Sequence, residues 1–131
     1  MKTEDIRSLV AALGVGEHFY IGRLDKAKPK SIGVFRRSAG EPIIAIGTQS
    51  GYELTRVSLL IHYSRSFTET ETAAQTLYDA LKSIRNQSAG SAFVFFIMMK
   101  TSSPVDIGSD DGIWEQVIDF DIYERKVNKY A

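Results

Sequence analysis

The sequence predicts an α+β fold, a single domain in which a mixed, mostly antiparallel sheet of about six strands carries two main α-helices. Three observations predict it. Apolar residues recur at helical spacing in two stretches, one near the N-terminus and one near residues 68–86. Elsewhere they alternate, or run on without a break, between short segments rich in Gly, Pro, Ser and Asp. With 131 residues, 44% of them hydrophobic and 24% charged, the chain suffices for one core, is too short for two, and is unlike a disordered polypeptide.

Thr3 is placed to cap the first helix, with Glu4 and Asp5 at the positive end of its dipole. Ile6, Leu9, Val10 and Leu13 form its apolar stripe, and Gly14 is a natural stop. Phe19, Tyr20, Ile21 and Leu24 then read as a strand, followed by the basic turn Lys26-Ala27-Lys28-Pro29-Lys30. Residues 31–37 and 42–47 read as two strands joined by Ser38-Ala39-Gly40-Glu41, where Gly40 supplies a positive φ without steric cost. Residues 55–64 form a longer strand with Val57, Leu59, Ile61 and Tyr63 on one face; Ser58, Leu60, His62 and Ser64 take the other.

Thr68-Glu69-Thr70-Glu71 matches a capping box and opens the second helix. Its stripe is Ala73, Ala74, Leu77, Tyr78, Leu81 and Ile84, with an expected end near Asn86 and a loop over residues 87–90. Phe93 to Met99 shows no alternation, which predicts a central strand covered on both faces. Residues 113–125 alternate again: Trp114, Ile118, Phe120 and Ile122 on one side, Glu115, Val117, Asp119, Asp121 and Tyr123 on the other. The expected order is α-β-β-β-β-α-β-β, without repeats or linkers.

Composition removes several function classes. Sixteen basic and sixteen acidic side chains leave a formal net charge of zero, so no overall field draws the chain to nucleic acid or to an anionic membrane. The absence of cysteine excludes disulfides, thiolate catalysis and Cys-ligated zinc. Acids at positions 4 and 5 argue against a signal peptide, and the most apolar run, residues 92–99, is far below the roughly 20 residues a bilayer requires. A soluble protein is expected, with no membrane partner and no nucleic-acid sequence readout.

Few residues suggest chemistry. His18 and His62 are each candidate bases if a carboxylate adjoins, or else strand histidines held by backbone partners. Gly47-Thr48-Gln49-Ser50-Gly51 resembles a phosphate loop superficially, but it lacks the Lys-Ser/Thr tail and precedes a strand, so a turn is expected. Asp106, Asp110 and Asp111 crowd one segment, yet their spacing is not that of a calcium loop and reads as a tight solvated turn. Neither a metal nor a cofactor is expected, and no catalytic residue is assigned.

The distribution of charge says more. Arg23, Lys26, Lys28, Lys30, Arg36 and Arg37 face only Asp25 in their segment, whereas Asp106, Asp110, Asp111, Glu115, Asp119, Asp121 and Glu124 lie in a segment with no base. These are either solvated faces or surfaces that meet, within the sheet or between subunits. Lys26, Lys28, Lys30, Asp106, Asp110 and Asp111 are the candidate interface residues.

Several strings, in order, resemble the bacteriophage minor capsid and tail-terminator family. They are Lys30-Ser31-Ile32-Gly33-Val34-Phe35-Arg36-Arg37, Ile44-Ala45-Ile46-Gly47, Leu59-Leu60-Ile61-His62-Tyr63, Glu71-Thr72-Ala73-Ala74 with Leu77-Tyr78, and Pro104-Val105-Asp106-Ile107-Gly108 running into Gly112-Ile113-Trp114-Glu115. The resemblance runs from about Phe19 to Arg125 and lies in order and spacing, not in any one string. It implies a non-enzymatic assembly protein of a phage or prophage: a subunit of a ring, commonly hexameric, that caps the tail tube, ends its polymerisation and presents a head–tail joining surface. The implied partners are further copies of the chain, the tail tube protein and the head connector or neck protein. The implied location is the virion, after assembly in the host cytoplasm. Another neck or head-completion protein is the near alternative. A small-molecule-binding domain or minor enzyme using the sheet face near His62 is the alternative from a different class.

Overall fold

The computed structural model describes residues 1–38 and 53–126, and within them both expected helices lie on one face of a mixed sheet. The elements, in order, are α1 (Thr3–Ala12), β1 (His18–Ile21), β2 (Ser31–Arg36), β3 (Glu53–His62), α2 (Phe67–Lys82), β4 (Arg85–Ala89), β5 (Ala92–Met99), β6 (Val105–Asp110) and β7 (Ile113–Lys126). The expected strand at 42–47, the turn before it and the glycine-bearing loop at 47–51 lie outside the described residues.

The sheet runs β1-β2-β3-β7-β5-β4, and β7 organises it. One edge of this long strand pairs with β3 from Glu115 to Glu124. Its other edge is shared: β6 pairs with its first half and β5 with its second. All pairings are antiparallel except β1 with β2, so the sheet is mixed as the sequence predicts. A parallel pair between consecutive strands needs a connection that returns to its starting end. Residues 22–30 are that connection, which explains why a basic loop crosses the end of the sheet.

One face holds the core. Val57, Leu59 and Ile61 of β3 and Ile118, Phe120 and Ile122 of β7 are buried against Ile6, Leu9 and Val10 of α1 and Leu77, Tyr78 and Leu81 of α2. Period two in the strands and 3.6 in the helices place these side chains in a single cluster, as their spacing predicts.

Local punctuation differs from expectation in five places. Lys2, with no side-chain hydrogen bond, is the N-cap of α1, and Thr3 is already helical. The cap of α2 is Ser66, whose hydroxyl accepts from the Glu69 N–H at 3.3 Å, so the helix begins before the Thr68–Glu71 box. The overlapping Ser66-Phe67-Thr68-Glu69 has the same pattern, and Phe67 set edge-on against Trp114, centroids 5.3 Å apart, ties that earlier start to β7. Helix α2 ends at Lys82, and the expected loop at 87–90 is largely strand β4. Residues 105–110 are likewise strand, and only Asp111 and Gly112 make the turn, both at positive φ (55° and 77°) as a two-residue hairpin requires.

The fifth difference is in β5. It is paired on both edges, as an interior strand should be, but it is not covered on both faces. Ala92, Val94 and Ile97 point to the core, while Phe93, Phe95 and Phe96 are only partly buried and Met98 is 45% exposed. A register shift between Val94 and Phe96 interrupts the alternation, as a bulge does. Both helices occupy the core face; on the other, the return loop covers the end at His62, and no described helix or strand lies over β5.

Candidate functional site

The return loop at 22–30 and the β6–β7 hairpin converge at one end of the sheet. Lys26 Nζ lies 2.7 Å from Asp110 Oδ2, so the basic and acidic segments meet within the chain. That hydrogen bond, reinforced by charge, holds the Lys26 ammonium above its ordinary range and the Asp110 carboxyl below its own. A second meeting point is Arg37 with the buried Asp121, which Lys100 also approaches at 3.5 Å.

The other candidate charges are not brought together. Lys30 faces Glu17 at 3.7 Å, and its N–H donates to the Tyr63 carbonyl. Lys28 is exposed, with no ion pair among the described residues. Asp106 and Asp110 are separated by a register shift between Asp106 and Gly108. The extra residue, Ile107, reverses the phase, so Asp106 sits opposite Gln116 on the helix side while Asp110 sits opposite Ile113 on the other. Three carboxylates close in sequence therefore do not share a surface.

His18 opens β1 at the sheet edge and does not meet His62. His62, at the end of β3, is fully buried. Its Nε2 is 2.8 Å from the Lys26 carbonyl oxygen and its Nδ1 is 2.9 Å from Glu115 Oε2. A carbonyl only accepts, so Nε2 carries a proton and donates. The Nδ1–Glu115 bridge then needs a further proton, resident on the ring or on the carboxyl. With both nitrogens engaged, the pair fastens the return loop to the sheet and offers no free lone pair to a substrate. Sequence alone does not show this partner, because Glu115 faces His62 only through the β3–β7 register.

A groove of about 460 Å³ runs between α2 and the β6–β7 pair. Its lining includes the carboxylates of Glu71 and Asp79 from α2 and Asp106 from β6, together with Gln116 from β7. The Phe67–Trp114 contact holds α2 at one end; at the other, the Tyr78 hydroxyl donates to the Thr101 carbonyl at 2.7 Å. Gln116 is 4% exposed. Sequence reading gave Glu71 as the close of a capping box and did not single out Gln116 or Asp79; helical spacing places Glu71 and Asp79 two turns apart on one face, but only the fold sets β6 opposite them.

On the opposite, helix-free face the outward row of β5 is apolar, whereas that of β7 mixes Val117 and Tyr123 with Glu115, Asp119, Asp121 and Arg125. Phe96 stacks on Tyr123 with centroids 4.6 Å apart, Arg125 lies over Phe93, and Met98, opposite Asp121, is 45% exposed; Val105, exposed to the same degree, lies apart from them opposite Val117. No set of three or more His, Cys, Asp or Glu among the described residues is arranged to hold a metal ion, and no helix among them is long and apolar enough to cross a membrane. No protein-family model matches the chain, and no curated protein matches it.

Proposed function

We propose that this chain is a structural assembly protein, a subunit of a closed homo-oligomeric ring that ends a phage tail tube and forms part of the head–tail joint. The observation that carries the reading is the helix-free sheet face. A fully apolar strand, β5, presents one row to the core and the other row, Phe93, Phe96 and Met98, outward, with Tyr123 of β7 stacked on Phe96. Large apolar side chains exposed singly are ordinary, but a row of them along one strand marks an interaction surface. Zero net charge adds little mutual repulsion between copies. The tail-terminator part of the reading rests on the ordered strings that resemble that family.

The test is the size and shape of the purified protein. Light scattering over a wide concentration range, followed by negative-stain imaging, is expected to show one ring species with a central opening. Added to polymerising tail tubes, those rings should cap the ends and shorten the tubes. A protein that stays monomeric throughout, and leaves tube length unchanged, overturns the proposal.

A further inference from the structure

We propose that the return loop, residues 22–30, is a strap held shut by one exchangeable proton on the His62–Glu115 pair, and that it lifts from the sheet when rising pH removes that proton. The strap crosses the helix-free face at the His62 end, where the Arg23 carbonyl lies 3.4 Å from the point a Cβ on Gly33 would occupy. Backbone bonds anchor its ends: the Gly22 N–H donates to the Val34 carbonyl at 2.9 Å, and the Lys30 N–H to the Tyr63 carbonyl at 2.6 Å. Between these anchors, among the described residues, every hydrogen bond or ion pair from residues 23–27 to the sheet is made by Lys26. Its carbonyl takes the His62 Nε2–H at 2.8 Å, and its ammonium reaches Asp110, with both charged side chains largely in water. An exposed ion pair of that kind adds little. The buried histidine is what holds the middle of the strap down.

His62 stands between two acceptors, and that sets the proton count. The Lys26 carbonyl has no proton to give, and Glu115 Oε2, 2.9 Å from Nδ1, has none once ionised. While the pair keeps one proton beyond a neutral ring and a carboxylate, both contacts are hydrogen bonds. Once that proton passes to solvent, the ring has a single N–H for two acceptors. The carboxylate competes better for it, because a charged acceptor makes the stronger bond. The ring then carries its proton on Nδ1, and the Nε2 lone pair faces the lone pairs of the Lys26 carbonyl. His62 is fully buried, so water reaches Nε2 only if the strap moves. The contact to the strap is therefore the one that fails, and the sheet is uncovered at Gly33. Neighbouring groups do not replace the lost proton. Asp110 of β6 and Asp111 of the hairpin turn act on the Lys26 ammonium, and the Arg65 guanidinium lies against Gly112 in the same turn. Ser31 of β2, opposite His62 in register, donates its hydroxyl proton to the Lys28 carbonyl at 2.7 Å.

The experiment follows the full chain from about pH 5 to about pH 10, a window that spans the ordinary histidine range. The His62 ring nitrogens are observed by NMR. Tryptic cleavage after Arg23 and Lys26 is measured in parallel and scaled at each pH to a reference peptide of the same sequence. As pH rises, wild-type Nε2 should change from N–H to bare nitrogen, and strap cleavage should increase about tenfold or more in the same step. In Glu115→Gln the side-chain amide donates to a neutral Nδ1 while Nε2–H stays on the Lys26 carbonyl, so no proton need be lost and cleavage should remain low throughout. Asp110→Asn, which removes the exposed ion pair, should keep the wild-type step. An Nε2 that holds its proton at every pH where the protein is folded overturns the proposal, as does a change at Nε2 with no rise in cleavage. These two wild-type readouts decide the matter even if Glu115→Gln fails to fold. A step that persists in a folded Glu115→Gln also overturns it, and so does a step that vanishes in Asp110→Asn, which would assign the effect to the exposed pair.

Discussion

Adjacent residues of β5 should respond very differently to truncation. Ile97 is 4% exposed and packs in the core cluster, whereas Met98, on the other face, is 45% exposed. Ile97→Ala removes Cγ1, Cγ2 and Cδ1, worth about 2.4 kcal/mol at roughly 0.8 per carbon. The cavity left behind raises the cost to about 3–4 kcal/mol, within the range seen for such truncations. Met98→Ala removes a chain already half in water and leaves no enclosed void, so it should cost below about 1 kcal/mol. Urea denaturation followed by tryptophan fluorescence measures both. With a slope of about 2 kcal/mol per molar, Ile97→Ala should lower the midpoint by about 1.5–2 M and Met98→Ala by less than about 0.5 M. The comparison belongs at sub-micromolar protein, because association would couple stability to concentration. Equal losses at that dilution would show that β5 is covered on both faces, and would remove the surface on which the ring reading stands.

Three further outcomes are expected. His62→Ala should cost about 3–5 kcal/mol, since it leaves Glu115 buried without its partner and the Lys26 carbonyl without its donor; a loss under about 1 kcal/mol in urea melts would show that the pair does not fasten the loop. The Lys26–Asp110 pair should support the fold only between the ordinary carboxylate and ammonium ranges. Its contribution is lost as pH falls through the lowered Asp110 value and as pH rises through the raised Lys26 value, and the Asp110 carboxyl followed by NMR should titrate higher in Lys26→Met. Gly112→Ala should destabilise by about 1 kcal/mol or more, because Gly112 holds φ 77°, a backbone conformation that a residue with a Cβ adopts only under strain; an unchanged thermal midpoint would contradict the hairpin geometry.

What the sequence determined by itself is the part of the fold that follows from periodicity. Ile6, Leu9 and Val10, the α2 stripe from Ala73 to Leu81, and the alternating sides of β3 and β7 are all read from spacing, because the helix and strand repeats oblige those side chains to share a face. Asp111-Gly112 was also a legible hairpin signal, hidden behind a grouping of three acids. The apolar run of β5 was ambiguous in a way spacing cannot resolve: a row of Phe and Met is equally consistent with a second covering layer and with an exposed contact surface. Tertiary structure decided that both helices lie on one side, leaving the other row open. It also decided which charges meet. The bulge at Ile107 sends Asp106 and Asp110 to opposite faces, and the β3–β7 register sets Glu115 against His62. These pairings join residues far apart in the chain, so they depend on strand register and loop path, which no local pattern encodes.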